Sequence, residues 1–384
     1  MFRNYKLKNF NLMLVGAVFA LTMVGIFVIG SANEGYQNRQ ILGMVLGLVV
    51  MVVVSLIDFE FILQFHYVYY GMTILLLLSP LFFGDEGRLG AKRWIDLGFI
   101  RFQPSELAKV LLVLFFAKFF MTYEEDLNTK KRLAITALLA GIPLVLILKE
   151  PDLSTTIVTF LIISAMLFAA GLSYKIVGWV LGLSVPAVTI LLFLISRDGQ
   201  KILNPYQGRR ILAWLHPEDY PSDAYQQLNS IMAVGSGQLF GKGLNNDAAD
   251  SVKNGNYISE PQTDFIFAVA GEELGFIGAV VIVLLLLVIT VECLKMAKRA
   301  RDLSGQLICV GMASLVGFQS FVNISVVTGL MPNTGLPLPF VSYGLTSLVT
   351  LYLGIGFVLN VGLQAKKNYG RQTLGSSVSG TVDL

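Results

Sequence analysis

The chain has 384 residues, of which 55% are hydrophobic and only 14% charged. A soluble globular chain has roughly a quarter of its residues charged, and a disordered one needs low hydrophobicity and high net charge, so both classes are excluded. The formal charge of +3 is too small and too scattered to make a nucleic-acid-binding surface.

A helix needs roughly 20 apolar residues to cross a bilayer. Ten runs meet or approach that length, at about 11–31, 39–57, 68–83, 104–121, 133–149, 153–171, 174–196, 264–294, 304–330 and 337–364. The first is longer than a signal-peptide core and nine others follow it, so it is read as a retained anchor. The expected fold is all-α: a polytopic membrane protein with about ten transmembrane helices. Residues 1–372 form a single membrane domain, with 197–263 as a large structured outer loop between helices seven and eight. The Ser/Gly-rich stretch 373–384 is expected to be a disordered cytoplasmic tail.

Lys and Arg positions orient the spans. Arg3, Lys6 and Lys8, then Lys118, Lys130, Lys131 and Arg132, then Lys175, then Lys295, Lys298, Arg299 and Arg301, then Lys366, Lys367 and Arg371 share one side. That side is read as the cytoplasm, with both termini on it, in a multi-pass protein of the cell membrane. The outer loop 84–103 is short and still carries Arg88, Lys92, Arg93 and Arg101, against the rule. Either these cations pair with Asp85, Glu86, Asp96 or lipid phosphates, or they have a use outside. The long outer loop carries Arg197, Lys201, Arg209, Arg210, Lys242 and Lys253. Its segments 208–215 (GRRILAWL) and 224–234 (AYQQLNSIMAV) suit amphipathic helices at the membrane surface, with Trp214 as an anchor, before a Gly-rich turn at 235–243.

Charges in or beside apolar spans are costly and mark candidate functional positions. Gln103-Pro104-Ser105-Glu106 opens the fourth span. Gln103 or Ser105 can cap it, Pro104 suits its first turn, and Glu106 can pair with Lys109 three residues on. Lys149-Glu150-Pro151-Asp152 forms a tight reversal, with Asp152 as cap of the next helix. Capping explains Asp152 well and Glu150 poorly. Glu260-Pro261-Gln262-Thr263-Asp264 precedes the eighth span, with Thr263 as a possible cap and Asp264 in the first turn. Asp264 lies beside aromatics at the rim, where desolvation raises a carboxyl pKa and makes a usable general base. A first-turn Asp that only complements the helix dipole explains the same placement. Met331–Ser347 contains three prolines and breaks regular helix; such backbone at membrane depth must pack in protein or line a cavity, which Ser342 and Tyr343 could face. His66 and His216 stand apart without nearby Cys, arguing against a His/Cys metal site. Cys293 and Cys309 sit in apolar surroundings that favour inert thiols.

Taken in order, these places resemble the SEDS family (shape, elongation, division and sporulation proteins). The resemblance rests on Arg93-Trp94-Ile95-Asp96, Arg101 to Glu106, Glu150-Pro151-Asp152, Ile231 to Gly243, Asp264 to Gly275, and Thr334 to Gly344. The phrase TGLPLPF and the Gly241-Lys242-Gly243 turn lean toward the elongation branch rather than the division or sporulation branches. Where the family usually carries Gly-Gly-Ser-Ser after its Ser-Tyr pair, this chain has Gly344-Leu345-Thr346-Ser347.

The resemblance implies an inverting peptidoglycan glycosyltransferase that polymerises lipid II at the outer face of the cytoplasmic membrane. It implies Asp264 as the essential acid and undecaprenyl diphosphate as the leaving group. Substrate contacts are expected from Arg93, Trp94, Arg101, Gln103, Glu106, Lys109, Glu150, Asp152, Arg209, Arg210, Lys242, Gln262, Thr263 and Ser342. A class B penicillin-binding protein, a transpeptidase, is the implied partner, and a divalent cation such as Mg or Mn the implied cofactor. Two other readings compete: a lipid II flippase, and a scaffold for the transpeptidase.

Overall fold

The computed structural model describes residues 5, 7–84, 93–96, 98, 101–178, 182, 186, 205–245, 251, 255 and 257–364. Apart from 174–178, 182 and 186, the seventh expected span lies outside them, as do the expected tail at 373–384 and Arg88, Lys92, Arg197, Lys201 and Lys253.

Helix dominates because nearly every apolar run is long and unbroken, so its backbone groups can be satisfied within the run. In chain order the elements are α1 (Leu12–Ala32), α2 (Glu34–Ser55), the short α3 (Phe59–Leu63) and α4 (His66–Phe83). A two-residue antiparallel pair follows, β1 (Ile95–Asp96) and β2 (Arg101–Phe102). Then come α5 (Pro104–Thr122), α6 (Lys130–Lys149), α7 (Leu153–Ala169), α8 (Pro205–Leu215), α9 (Pro221–Ser236), α10 (Ile266–Arg299), α11 (Leu303–Val327) and α12 (Leu345–Leu363). Seven of the described helices are long and apolar enough to cross a membrane. Two more fill the expected order: α5, which carries Glu106, Lys109 and Lys118, and α7, a shorter apolar helix.

Burial separates the centre from the periphery. Helices α5, α11 and α12 are buried on nearly all faces, the mark of interior helices. Around them, α2 lies along α12, α7 against α11, α4 against α5, and α1 against α10. The outer faces of α1, α2, α4 and α10 expose large apolar side chains such as Phe27, Val52, Leu75 and Leu284, as a lipid-facing surface requires. Polar links tie the bundle at two ends. At one end the Asn360 amide donates to the carbonyls of Ser55 (2.7 Å) and Ile57 (2.6 Å), Asn11 donates to Glu292 (2.8 Å), and Arg301 pairs with Glu60. The opposite end holds the turn between α6 and α7, the start of α10 and the non-helical stretch before α12.

Four boundaries differ from the sequence expectation. Helix α2 starts about five residues early, because Asn33 caps it by accepting a hydrogen bond from the Gly35 amide. Thr263 does not cap α10: its hydroxyl donates to the Glu260 carbonyl (2.9 Å), and the helix begins at Ile266, leaving Asp264 in the preceding turn. The last helix begins at Leu345 rather than near 337, since the prolines of 332–339 deny the backbone helical hydrogen bonds. Finally, α10 is broken at Gly275 (φ 66°, ψ −166°). There the 238–243 turn enters the break: the amides of Phe276 and Ile277 donate to Gln238 (2.8 Å) and Leu239 (3.2 Å), and those of Lys242 and Gly243 donate to Glu272 (2.9 Å) and Glu273 (3.0 Å). One loop thus satisfies the groups that the broken helix leaves unpaired.

A Cβ at Gly275 would stand 2.2 Å from the Gly241 nitrogen in a left-handed backbone conformation. Gly275→Ala is therefore expected to lower the detergent melting temperature, strain and overpacking each costing about 1–3 kcal/mol. Gly141→Ala, which meets open space, should leave the melt unchanged or slightly raised. Equal melts for the two variants would contradict the role given to the 238–243 turn.

Candidate active site

The residues with chemistry gather at one end because three irregular segments meet there. The outer loop between α4 and α5 supplies Arg93, Trp94, Asp96, Arg101 and Gln103. The turn before α10 supplies Glu260, Gln262, Thr263 and Asp264. The stretch between α11 and α12 supplies Gly335, Pro337, Tyr343 and Gly344. With Tyr36 and Arg39 of α2 and Leu345 and Ser347 of α12, they line a cavity of about 490 Å³, within the range of small-molecule sites.

Hydrogen bonds to backbone hold the segments in register. The Asn323 amide, from α11, donates to the carbonyl of Asp264 (2.7 Å) and to that of Leu336 (2.6 Å). Ser342 Oγ accepts from the Leu338 amide (2.7 Å) and donates to the Thr263 carbonyl (2.7 Å). The Tyr343 amide donates to Gln262 (2.9 Å), and Gln40 Nε2 donates to the Ser342 carbonyl (3.1 Å). The tyrosines of the wall pack together, with the Tyr36 and Tyr343 ring centroids 4.4 Å apart.

Gly335 marks the centre. A Cβ built on it would lie 3.1 Å from Asp264 Oδ2 and 3.8 Å from Nη1 of both Arg93 and Arg210. One carboxylate and two guanidiniums therefore converge where a side chain at 335 would obstruct them. Burial pushes the Asp264 pKa up to about 6, helped by Asp152 and Glu260, while Arg210 and Arg93 pull it back. The result is a carboxylate that is ionised at neutral pH and basic enough to accept a proton. Arg93 is itself gripped from behind: Nε donates to the Glu150 carbonyl (3.1 Å), Nη2 to the Pro151 carbonyl, and Nη1 lies 3.9 Å from Asp152 Oδ2. Asp152 caps α7 through the Thr155 amide (3.1 Å) and accepts from Gln103 at 3.5 Å.

Of the residues singled out from sequence, Arg93, Trp94, Arg101, Gln103, Gln262 and Thr263 share the cavity wall with Asp264. Arg101 is largely exposed and 3.6 Å from Asp96. Glu150 and Asp152, expected as substrate contacts, do not line the cavity but stand behind Arg93. Arg210 reaches the Gly335 region and donates to the Asn333 carbonyl (3.3 Å), whereas Arg209 is exposed on α8.

Four candidates, Glu106, Lys109, Ser342 and Lys242, take other roles. Lys109 is buried and bonds Glu106 (2.7 Å) and Gln319 (2.6 Å); Ser347 Oγ donates to Glu106 (3.0 Å) and Gln319 to the Pro337 carbonyl (2.9 Å). The Glu106–Lys109 pair thus braces the cavity wall instead of lining it, because a buried charge must spend its hydrogen bonds on partners. Ser342 is consumed by its two backbone bonds. Lys242 pairs with Glu272 (2.8 Å) at the Gly275 break, away from the cavity. Trp214, expected as a membrane anchor, donates instead to the Gly329 carbonyl (2.9 Å) and fastens α8 to the bundle.

Sequence reasoning missed Tyr36 and Arg39, which enter only because α2 starts early. The signal was present in the Asn33-Glu34 pair, a cap followed by a first-turn acid. For a divalent cation the fit is poor. Among the described residues no three His, Cys, Asp or Glu side chains are grouped to hold one, and Asp96 already faces Arg101.

A family model for cell cycle proteins, FtsW/RodA/SpoVE, matches residues 4–367. The chain belongs to that family. Among its FtsW/RodA/SpoVE relatives, the peptidoglycan glycosyltransferase MrdB of Escherichia coli K12 is 34% identical over 348 residues, covering 90% of this chain and 91% of its own. A probable peptidoglycan glycosyltransferase FtsW of Geobacter sulfurreducens is 33% identical over 385 residues, covering 94% and 97%. Among solved structures, a chain from a peptidoglycan synthase complex that coordinates polymerization and crosslinking superposes with a TM-score of 0.76 at 30% identity, covering 92% of this chain and 97% of its own.

Asn323→Leu tests how the site is held. It leaves the Asp264 and Leu336 carbonyls without their donor, at about 1–3 kcal/mol each, so a lower detergent melting temperature is expected. An unchanged melt would show that the two segments are fixed by other contacts.

Proposed function

We propose that this chain is a multi-pass peptidoglycan glycosyltransferase that polymerises lipid II at the outer face of the cytoplasmic membrane, with Asp264 as general base. The observation that carries this reading is the convergence of Asp264, Arg93 and Arg210 at Gly335, beside a cavity large enough for sugars. In the reaction the 4-hydroxyl of the acceptor sugar attacks the anomeric carbon of the donor. Asp264 takes the hydroxyl proton as the new C–O bond forms. The bond from the anomeric carbon to undecaprenyl diphosphate breaks on the opposite face, with inversion, and the diphosphate leaves with the electron pair. Its growing charge is met by Arg93 and Arg210, whose guanidiniums suit bidentate phosphate contact.

The flippase reading needs a path between the two ends of the bundle. Among the described residues the cavity is lined from one end, and the Lys109–Glu106–Gln319 network lies bonded behind its wall, which favours polymerisation in place. Both termini are assigned to the cytoplasm by the Lys and Arg distribution, which puts the cavity outside. A class B penicillin-binding protein is the proposed partner, in line with the synthase complex that contains a relative. The elongation branch is proposed from the TGLPLPF phrase, since the two relatives named above are almost equally distant.

Purified protein in liposomes with labelled lipid II tests the reaction. Wild type is expected to make glycan polymer, and Asp264→Asn to lose about 10²–10⁴-fold in rate. Lipid transfer across the bilayer without polymer, even with the transpeptidase present, would overturn the assignment. For orientation, Asn38→Cys in intact cells should react with a membrane-impermeant maleimide and Lys298→Cys should not; the reverse pattern would invert the topology.

A further inference from the structure

Glu150 has no part in the chemistry above, yet it sits against a group that does. It follows Lys149 at the end of α6. Its side chain is 0% exposed, and neither carboxyl oxygen has a hydrogen-bond partner among the described residues. Arg93 Nε bonds its backbone carbonyl, not its carboxyl. One turn earlier, Ile147 packs with Leu77 and Ala108, so the helix beneath it is seated in apolar surroundings. Among the described residues, the charged groups facing it are Asp152, at the start of α7, and Arg93, from the outer loop. Lys149, its neighbour on α6, is exposed to the outside, and Gln103 at the start of α5 is neutral.

A buried carboxylate without a single donor is strongly disfavoured, and a second anion beside it adds to the penalty. Burial and Asp152 raise the Glu150 pKa to about 9 against the pull of Arg93. Charge balance gives this a consequence. Arg93 already lies 3.9 Å from the Asp152 carboxylate and converges at Gly335 with that of Asp264. An ionised Glu150 would add a third anion against Arg93 and weaken its hold on a departing diphosphate.

We propose that Glu150 is kept as a neutral, protonated carboxyl, and that its neutrality leaves Arg93 its positive charge for the diphosphate. Glu150 is thus a positioning residue that acts through Arg93. The consequence for rate rests on the glycosyltransferase reading; the protonation does not.

The test compares wild type with the near-isosteric Glu150→Gln, both as full-length protein in detergent or liposomes. In infrared difference spectra at neutral pH, wild type should show the carbonyl stretch of a protonated carboxyl that the variant lacks. That band should fade as pH rises through about 9. In lipid II polymerisation, the variant should keep the wild-type rate within about twofold at neutral pH and escape the alkaline fall that wild type shows. Absence of the band at neutral pH overturns the proposal. So does a loss of about tenfold or more in the variant, or an alkaline fall identical in both proteins. If wild type makes no polymer at all, the glycosyltransferase reading fails, and the infrared comparison alone decides the protonation of Glu150.

Discussion

One amide group, that of Asn323, holds the carbonyls of Asp264 and Leu336 together inside the bundle. Non-helical backbone at membrane depth survives only where its polar groups find partners in protein. Two such segments meet here, the turn before α10 and the stretch before α12, and the Asn323 and Ser342 bonds stitch them to each other. That stitching sets a carboxylate and two guanidiniums around one glycine. Without it, the charges would have no fixed separation, and a pKa poised between acid and base would have no fixed cause.

The same logic of satisfied backbone recurs at the Gly275 break, where the 238–243 turn donates and accepts in place of the missing helical bonds. It recurs again behind Arg93, where the carbonyls of Glu150 and Pro151 grip the guanidinium from one side and leave it directed at the cavity. The helices form a scaffold that is apolar toward lipid, and the chemistry is confined to the places where helix stops. Buried ion pairs such as Glu106–Lys109 stand one layer back and brace the walls.

Much of this was legible in the sequence. Apolar runs fixed most of the helices, since period and length leave few alternatives in lipid. Pro104, Asp152 and the prolines of 332–339 marked turns that the structure contains. Asp264 stood out because an acid beside aromatics at a span boundary is costly. What could not be read was which cations would reach it. Arg209 and Arg210 are neighbours in sequence, and only the phase of α8 turns Arg210 inward. Lys242 resembled a phosphate ligand until its partner Glu272 was seen, thirty residues away in sequence and adjacent only through the break in α10. Tyr36 and Arg39 were hidden by a helix start read too late.

Arg210 and Arg93 hold the Asp264 carboxyl at a pKa of about 6 against the pull of burial. The most direct test is the pH dependence of kcat/KM for lipid II polymerisation in wild type and Arg210→Gln. Asp264 acts as base only when ionised, so the wild-type rate should fall as pH drops through about 6. Removing the guanidinium should move that limb to higher pH, whatever it does to the maximal rate. A limb that stays in place, or moves to lower pH, would contradict the account.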